Sequence, residues 1–184
     1  MCHALLQDPL FFSSLFQIDL DLANQTRAAG CPCGGQLHSA NYDRKPRGCA
    51  AAIAIDDYAV RFSFCCDRCR KRSTPPSVRF FGRRVYLAVM VVLASIARLG
   101  MTSAQAAKLD RILGVPHRTA GRWNHWWRNA FAKTVFWQSS RSRFMPPIAM
   151  DQLPASLMER FLADTLADRM GLLLRFLTPL SLVT

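Results

Sequence analysis

Two short cysteine clusters, Cys31-Pro32-Cys33-Gly34-Gly35 and Cys65-Cys66-Asp67-Arg68-Cys69, are the residues of this chain best equipped for chemistry. Thiolates are soft ligands, and two close Cys pairs on opposing turns are the usual way of surrounding a structural zinc ion with sulfur. Cys66 and Cys69 carry the standard two-residue gap, whereas a single residue separates Cys31 from Cys33. Glycines after the first pair permit a tight backbone that aims amides at the sulfurs. The spacing predicts a structural zinc on Cys31, Cys33, Cys66 and Cys69. Cys65 is the alternative to Cys66, and His38, Cys49 and Cys2 are alternative ligands. Buried free thiols are the competing reading. A catalytic zinc is not expected, because neither His-x-Glu nor His-Glu-x-x-His accompanies the cysteines.

A second constellation runs from Ser103 to Trp123. Ala106, Leu109, Ile112 and Leu113 form one apolar stripe, Gly114 supplies a turn, and Pro116 suits the start of a further helix. On that helix Thr119, Trp123, Trp126, Trp127 and Ala130 fall inward. Arg118, Arg122, His125 and Asn129 fall outward, with His117 at the helix start. An outward helix with arginines near its N-terminus is what reading the major groove requires, since arginine bonds guanine bidentately. An ordinary helical hairpin is the bland alternative. The tryptophans are expected to pack in the core rather than to stack on bases.

Charge agrees with a polyanionic partner. The 184-residue chain carries a formal charge of +12. Its basic residues concentrate in two tracts, from Arg61 to Arg84 and from Lys108 to Arg143, each opposed by a single aspartate, Asp67 or Asp110. Such a surface gains affinity for nucleic acid by releasing condensed counterions. Arg70, Lys71 and Arg72 are the expected phosphate contacts. The start of the chain lacks a basic n-region and an A-x-A site, and the seven cysteines are odd in number and clustered. These features predict a cytoplasmic, nucleoid-associated protein. The uncharged run from Val85 to Ala97 is bounded by Arg84 and Arg98, too short for the roughly 20 residues of a membrane span, and is expected to be a buried helix.

The string from Leu113 to Trp123 (LGVPHRTAGRW) resembles helix-turn-helix segments of bacterial insertion-sequence transposases that read L-G-V-x-x-R-T-x-x-R-W. The upstream Cys-Pro-Cys-Gly-Gly and Cys-Cys-Asp-Arg-Cys-Arg-Lys-Arg resemble the zinc ribbon that precedes such helices. The likeness covers roughly residues 31 to 128. It implies binding to duplex DNA at element ends, as a transposase accessory with a transposase as partner. A regulatory role is the alternative, and the apolar face of Leu153, Leu157, Phe161 and Leu162 is read as either core or the seam of a homodimer. The gap between Cys31 and Cys33 departs from the usual ribbon.

Catalysis by the chain itself is not expected. A three-carboxylate nuclease needs acids that hold two metal ions. Asp56-Asp57 reads as a turn, Glu159 is the sole glutamate, and His3, His38, His117 and His125 form no His-x-His. Two other classes remain open. One is an RNA-binding ribbon protein with Phe62, Phe64, Arg68, Arg70, Lys71 and Arg72 as its surface. The other is the non-catalytic part of a transposase completed by a partner chain.

The elements that must position these residues are mainly helical, with a small β ribbon. A helix from Ala4 to Ala29, with Pro9 early in it, stops at Gly30. The alternation of Tyr58, Val60, Phe62 and Phe64 predicts a strand, and Ser77 to Phe81 a last one. Helices follow from Arg84 to Leu99, from Thr102 or Ser103 to Leu113, and from Pro116 to near Phe131. Apolar helical stretches from Leu153 to Leu166 and from Met170 to Leu177 close the chain. The corresponding modules are an N-terminal helix (1–29), a ribbon (30–81), a helix-turn-helix bundle (82–144) and a helical tail (145–184).

Overall fold

The computed structural model describes residues 2–47, 55–82, 84–97 and 114–182. The expected helix ending at Leu113, with its stripe of Ala106, Leu109, Ile112 and Leu113, lies outside the described residues, as do Cys49 and Arg83. Among the described residues the chain is mainly helical with small antiparallel sheets.

The N-terminal helix is divided. α1 (Cys2–Leu6) precedes α2 (Pro9–Ala29), because Pro9 begins a helix where it would break one. Asp8 caps α2, its carboxylate accepting the Leu10 amide at 2.9 Å. At the far end Gly30, with φ 71°, donates its amide to Arg27 and ends the helix. Phe11, Phe12, Leu15 and Ile18 face the main core, and Ala23 faces a smaller one.

Short strands follow. β1 (Leu37–Ser39), β4 (Phe64–Cys66) and β5 (Arg72–Ser73) form one antiparallel sheet with β4 in the centre. β2 (Tyr42–Asp43) pairs with β3 (Val60–Arg61) in a second. The strand expected from Tyr58 is a correction. Tyr58 belongs to α3 (Ile55–Ala59), and its ring is buried with the hydroxyl donating to the Phe12 carbonyl at 2.8 Å. Asp56 and Asp57, read as a turn, lie on the same short helix. The alternation also fails at Arg61, which is buried where a polar outer face was expected. Ser77 to Phe81 is likewise not a strand: Phe80 makes a single bridge to Leu87.

α4 (Ala88–Ala97) is buried on every side from Ala88 to Ser95, as expected of its uncharged run. No helix among the described residues is long and apolar enough to cross a membrane. α4 packs against α5 (His117–Arg128) and a later helix, α8 (Leu166–Phe176). Trp127, fully buried on α5, donates its indole N–H to Ser95 on α4 at 3.1 Å, and Trp123 meets Tyr86 edge-on at 5.0 Å. Trp126 is half-buried against Trp127 and Phe131. The tryptophans are therefore packing residues. Ala130 is exposed, contrary to expectation, because α5 ends at Arg128 and a 3-10 turn follows from Phe131 to Lys133; Ala120 takes the inner place instead.

The remaining helices, α6 (Val135–Ser140), α7 (Ala155–Met158) and α8, wrap the same core. The long stretch expected from Leu153 to Leu166 reduces to the single turn of α7. Leu153 and Leu157 are buried, Phe161 packs alongside, and Leu162 is exposed. The tail is tied back by Ser181, whose hydroxyl accepts the Ser77 amide at 2.9 Å.

A polar cluster sits inside this apolar frame. Asp19 on α2 accepts from the Ser77 hydroxyl at 2.5 Å, the Val78 amide at 2.6 Å and Arg79 Nε at 2.7 Å. Arg79 also donates to the carbonyls of Asp57 and Val60. Its guanidinium lies 5.0–5.3 Å from the ring centres of Phe16, Tyr58, Phe62 and Phe80. A buried charge survives only when paired and hydrogen-bonded, and Arg79 is both.

Candidate metal centre and the outward face of α5

Each cysteine cluster is a tight turn at the mouth of a strand. Gly30 ends α2 and delivers Cys31 and Cys33 into a turn in which the Gly34 amide donates to the Cys31 carbonyl at 2.8 Å. Gly34 has φ 77°, a conformation open to glycine, and this sharp bend brings Cys31 and Cys33 together despite their one-residue gap. The second turn leaves β4 at Cys66, with the Cys66 amide donating to the Lys71 carbonyl at 3.0 Å and the Arg70 amide to the Cys66 carbonyl at 3.1 Å. Arg70 adopts φ 58° to let the chain return as β5.

The four predicted sulfurs, of Cys31, Cys33, Cys66 and Cys69, all lie within 4.8 Å of one another. Cys33 is 3.4 Å from both Cys31 and Cys66, and Cys31 is 3.5 Å from Cys69. A tetrahedron of sulfurs about 2.3 Å from a zinc ion has edges of about 3.8 Å, so the donor set fits with small adjustments. None of the described cysteines forms a disulfide. The amide of Cys69 points at Cys66 Sγ at 3.5 Å, the kind of contact that stabilises a coordinating thiolate.

Register decides between Cys65 and Cys66. Adjacent residues of a strand point to opposite faces. Phe64 and Cys66 on β4 are buried with Leu37, leaving Cys65 on the other face, its thiol directed at the Arg70 carbonyl at 3.5 Å. His38, opposite Cys65, is exposed and stands 3.8 Å from Asp67 instead of joining the sulfurs. Sequence alone could not settle this, because it depends on the pairing of Leu37 with Cys66.

The electrostatics of the sulfur cluster are lopsided. The Gly35 amide, and then the thiols of Cys31, Cys66 and Cys69, lower the Cys33 pKa to about 6. For Cys31 the strongest influence, the Cys33 amide, also lowers it, but the thiol of Cys33, burial and the other sulfurs outweigh it and push the pKa up to about 12. Without a cation, one negative charge among packed sulfurs disfavours the next. A divalent ion removes that conflict.

Three further residues hold the two turns together, and the sequence reading gave none of them this role. Gly35 is the first. A Cβ there would lie 2.5 Å from Cys66 Sγ, 2.7 Å from Asp67 Oδ1 and 2.8 Å from the Arg68 side chain, so the turns meet where only glycine fits. Asp67 is the second: its amide donates to the Gln36 carbonyl at 3.0 Å and its carboxylate accepts the Gln36 amide at 2.9 Å. Its pKa is lowered: desolvation, the largest single influence, opposes this, but the amides of Gln36 and Arg68, His38 and the Cys66 thiol outweigh it. Arg68 is the third, donating to the Cys33 carbonyl at 3.2 Å. The second glycine of the Cys-Pro-Cys-Gly-Gly string was the available signal for the close approach.

The predicted phosphate contacts separate. Arg70 and Lys71 are exposed. Arg72 is exposed too, but its guanidinium donates to the Ala40 carbonyl at 2.9 Å and Ser63 Oγ at 3.3 Å and lies over the Tyr42 ring. Within the first basic tract, Arg61 and Arg79 are core residues, 2 % and 1 % exposed, so the tract is a weaker contact surface than its count of arginines suggests. Burial lowers the Arg61 and Arg84 pKa values, and Arg84 stacks on Trp126 at 4.1 Å. Phe64 is buried and Phe62 half-buried against Phe16 and Arg79, which leaves little aromatic surface for stacking bases.

On α5 an inward and an outward face are separated by half-buried Thr119, Asn124 and Trp126. Ala120, Trp123 and Trp127 are buried, while His117, Arg118, Arg122 and His125 are exposed. The Arg122 guanidinium donates to Thr119 Oγ1 at 3.3 Å. Asn129, also exposed, folds back on His125, its amide group 2.9 Å from the His125 carbonyl and 3.2 Å from Nδ1. The structure thus assembles the four sulfurs at one site and sets His117, Arg118, Arg122 and His125 along a separate helix with Asn129 as its C-cap. No family model, curated protein or solved structure matches the chain.

Proposed function

We propose that this protein is a non-catalytic, zinc-stapled binder of double-stranded DNA, in which the outward face of α5 enters the major groove. The observation that carries the reading is the division of α5, whose buried tryptophans anchor it while Arg118, Arg122 and His125 are exposed. Arg70 and Lys71, exposed at the second cysteine turn, supply phosphate contacts, and the chain's +12 charge supplies the long-range attraction. Zinc at Cys31, Cys33, Cys66 and Cys69 is structural in this reading, since four sulfurs leave no open position for a substrate. The role is that of an insertion-sequence accessory, end-binding or regulatory protein, acting with a transposase or as a homodimer at the nucleoid.

The test is selection of genomic fragments on the purified, metal-loaded protein, followed by competition between the recovered duplex, its scrambled form and structured RNA. Enrichment of a common duplex site that outcompetes both supports the reading. Preference for the RNA would transfer it to the ribbon surface of the alternative hypothesis. Strand cleavage by the isolated chain with magnesium or manganese would contradict the non-catalytic part.

A further inference from the structure

The outward face of α5 has a glycine at its centre. Gly121 is exposed within the helix His117–Arg128, and a Cβ built on it meets nothing within 4 Å. It has no positive φ, unlike Gly30, Gly34, Gly82 and Gly114, and no crowding neighbour, unlike Gly35. Glycine is the poorest helix former after proline, so the residue weakens α5 without a packing or conformational return. On a helix the surface neighbours of a residue lie three and four positions away. For Gly121 these include His117, Arg118 and His125, with Arg122 adjoining, all exposed. The helix itself carries no acidic residue.

We propose that Gly121 is the point of closest approach between α5 and the floor of the DNA major groove, and that its missing side chain sets how deeply the helix is seated. The proposal rests on the reading of α5 as the DNA-contacting helix. With a bare backbone at the centre of the face, the flanking arginines reach base edges with their forks rather than being held off by an intervening methyl group. Bidentate pairing tolerates little displacement, so a lifted helix loses discrimination first. Contacts to phosphate, made by long flexible side chains, survive a small lift.

Gly171 provides an internal control. It also lies within a helix, α8, and a Cβ there also meets nothing within 4 Å, but its neighbours at helical spacing are Ala167, Asp168, Leu174 and Arg175. The experiment compares Gly121→Ala, Gly121→Val, Gly171→Ala and Arg122→Ala in the full, metal-loaded chain. Each is titrated with a fluorescein-labelled duplex carrying the genomically selected site and with its scrambled counterpart, and each is melted. Both alanine variants should melt higher than the parent. Gly121→Ala should lose about tenfold in affinity for the selected duplex and nothing for the scrambled one, with Gly121→Val losing more. Gly171→Ala should bind both as the parent does. Unchanged affinity of Gly121→Ala for the selected duplex, while Arg122→Ala abolishes the preference, would overturn the seating role and leave the DNA reading intact. If Arg122→Ala also leaves the preference unchanged, the reading of α5 falls and this inference with it.

Discussion

The guanidinium of Arg79 meets the carboxylate of Asp19 at 2.7 Å, with both side chains sealed from solvent although they lie 60 positions apart in the chain. Removing one partner of such a pair strands a buried charge, which costs far more than the pair contributes over an apolar substitute. Asp19→Asn should therefore destabilise the fold by about 3–5 kcal/mol, read by urea unfolding. A loss below about 1 kcal/mol, the scale of exposed pairs, would contradict the sealed geometry.

Metal content tests the sulfur cluster directly. The purified protein should hold about one zinc per chain, and Cys69→Ser should lose it and loosen both cysteine turns. Cys65→Ser should keep it, because Cys65 points to the opposite face of β4. Elemental analysis showing no metal in protein prepared without chelator, or equal loss from both variants, would contradict the assignment.

Gly35→Ala probes the contact between the turns. The added methyl would overlap Cys66 Sγ and Asp67 and displace the amide that faces Cys33. Perturbing such outer contacts typically costs about 10–100-fold in metal affinity, measurable by competition with a chromophoric chelator. Parental affinity would show that the turns tolerate being pushed apart.

Thiol reactivity follows from the lopsided sulfurs. In metal-stripped protein at pH 7, Cys33, exposed and with its pKa lowered to about 6, should be alkylated well before Cys31, whose pKa is pushed up to about 12. The ordinary thiol value is 9.0, so the interactions favouring the Cys33 thiolate stabilise the metal-free fold fully above that pH. Their contribution is lost as pH falls through about 6. Peptide mapping after timed alkylation checks the order, and uniform labelling would refute it.

Arg122 and Lys71 should fail differently. Arg122→Ala is expected to cost about 1–3 kcal/mol on the selected duplex and to relax preference at one base position. Lys71→Ala should weaken all sequences alike and reduce the salt slope by about one unit. Salt titrations on selected and scrambled duplexes decide, and identical behaviour of the two variants would remove α5 as the reader.

The mainly helical character, the clustering of four cysteines and the exposed arginines of α5 were legible in the sequence because each follows from a short-range rule: helical spacing or Cys spacing. What was not legible depends on long-range pairing. Arg61 and Arg79 count as surface charge in any reading of composition, yet the folded chain supplies Asp19, Pro75 and a box of rings that take them inside. The run from Tyr58 alternates as a strand should, but Tyr58 lies in α3 with its hydroxyl on the Phe12 carbonyl, and the strand pairing begins only at Val60 and is interrupted before Phe64. Leu162 fits an apolar helical stripe, but the helix stops a few residues earlier and leaves it exposed.

α2 belongs to both hydrophobic clusters. Phe11, Phe12, Leu15 and Ile18 enter the larger one, Ala23 enters the smaller one with Leu37, Phe64 and Cys66, and the chain turns directly from Gly30 into Cys31. At 21 residues, the helix is a rod of about 30 Å whose far end is moored by the cysteine turns. Release of the metal would therefore act as a loss of mooring rather than as collapse. The last turns beyond Ala23 and the sheet of β1, β4 and β5 would open as one sub-global unit, while Asp19 and Arg79 hold the first half of α2 and the β3 backbone against the larger cluster. Amide exchange along α2 would then report metal occupancy as a step in protection, placed between Asp19 and Gly30.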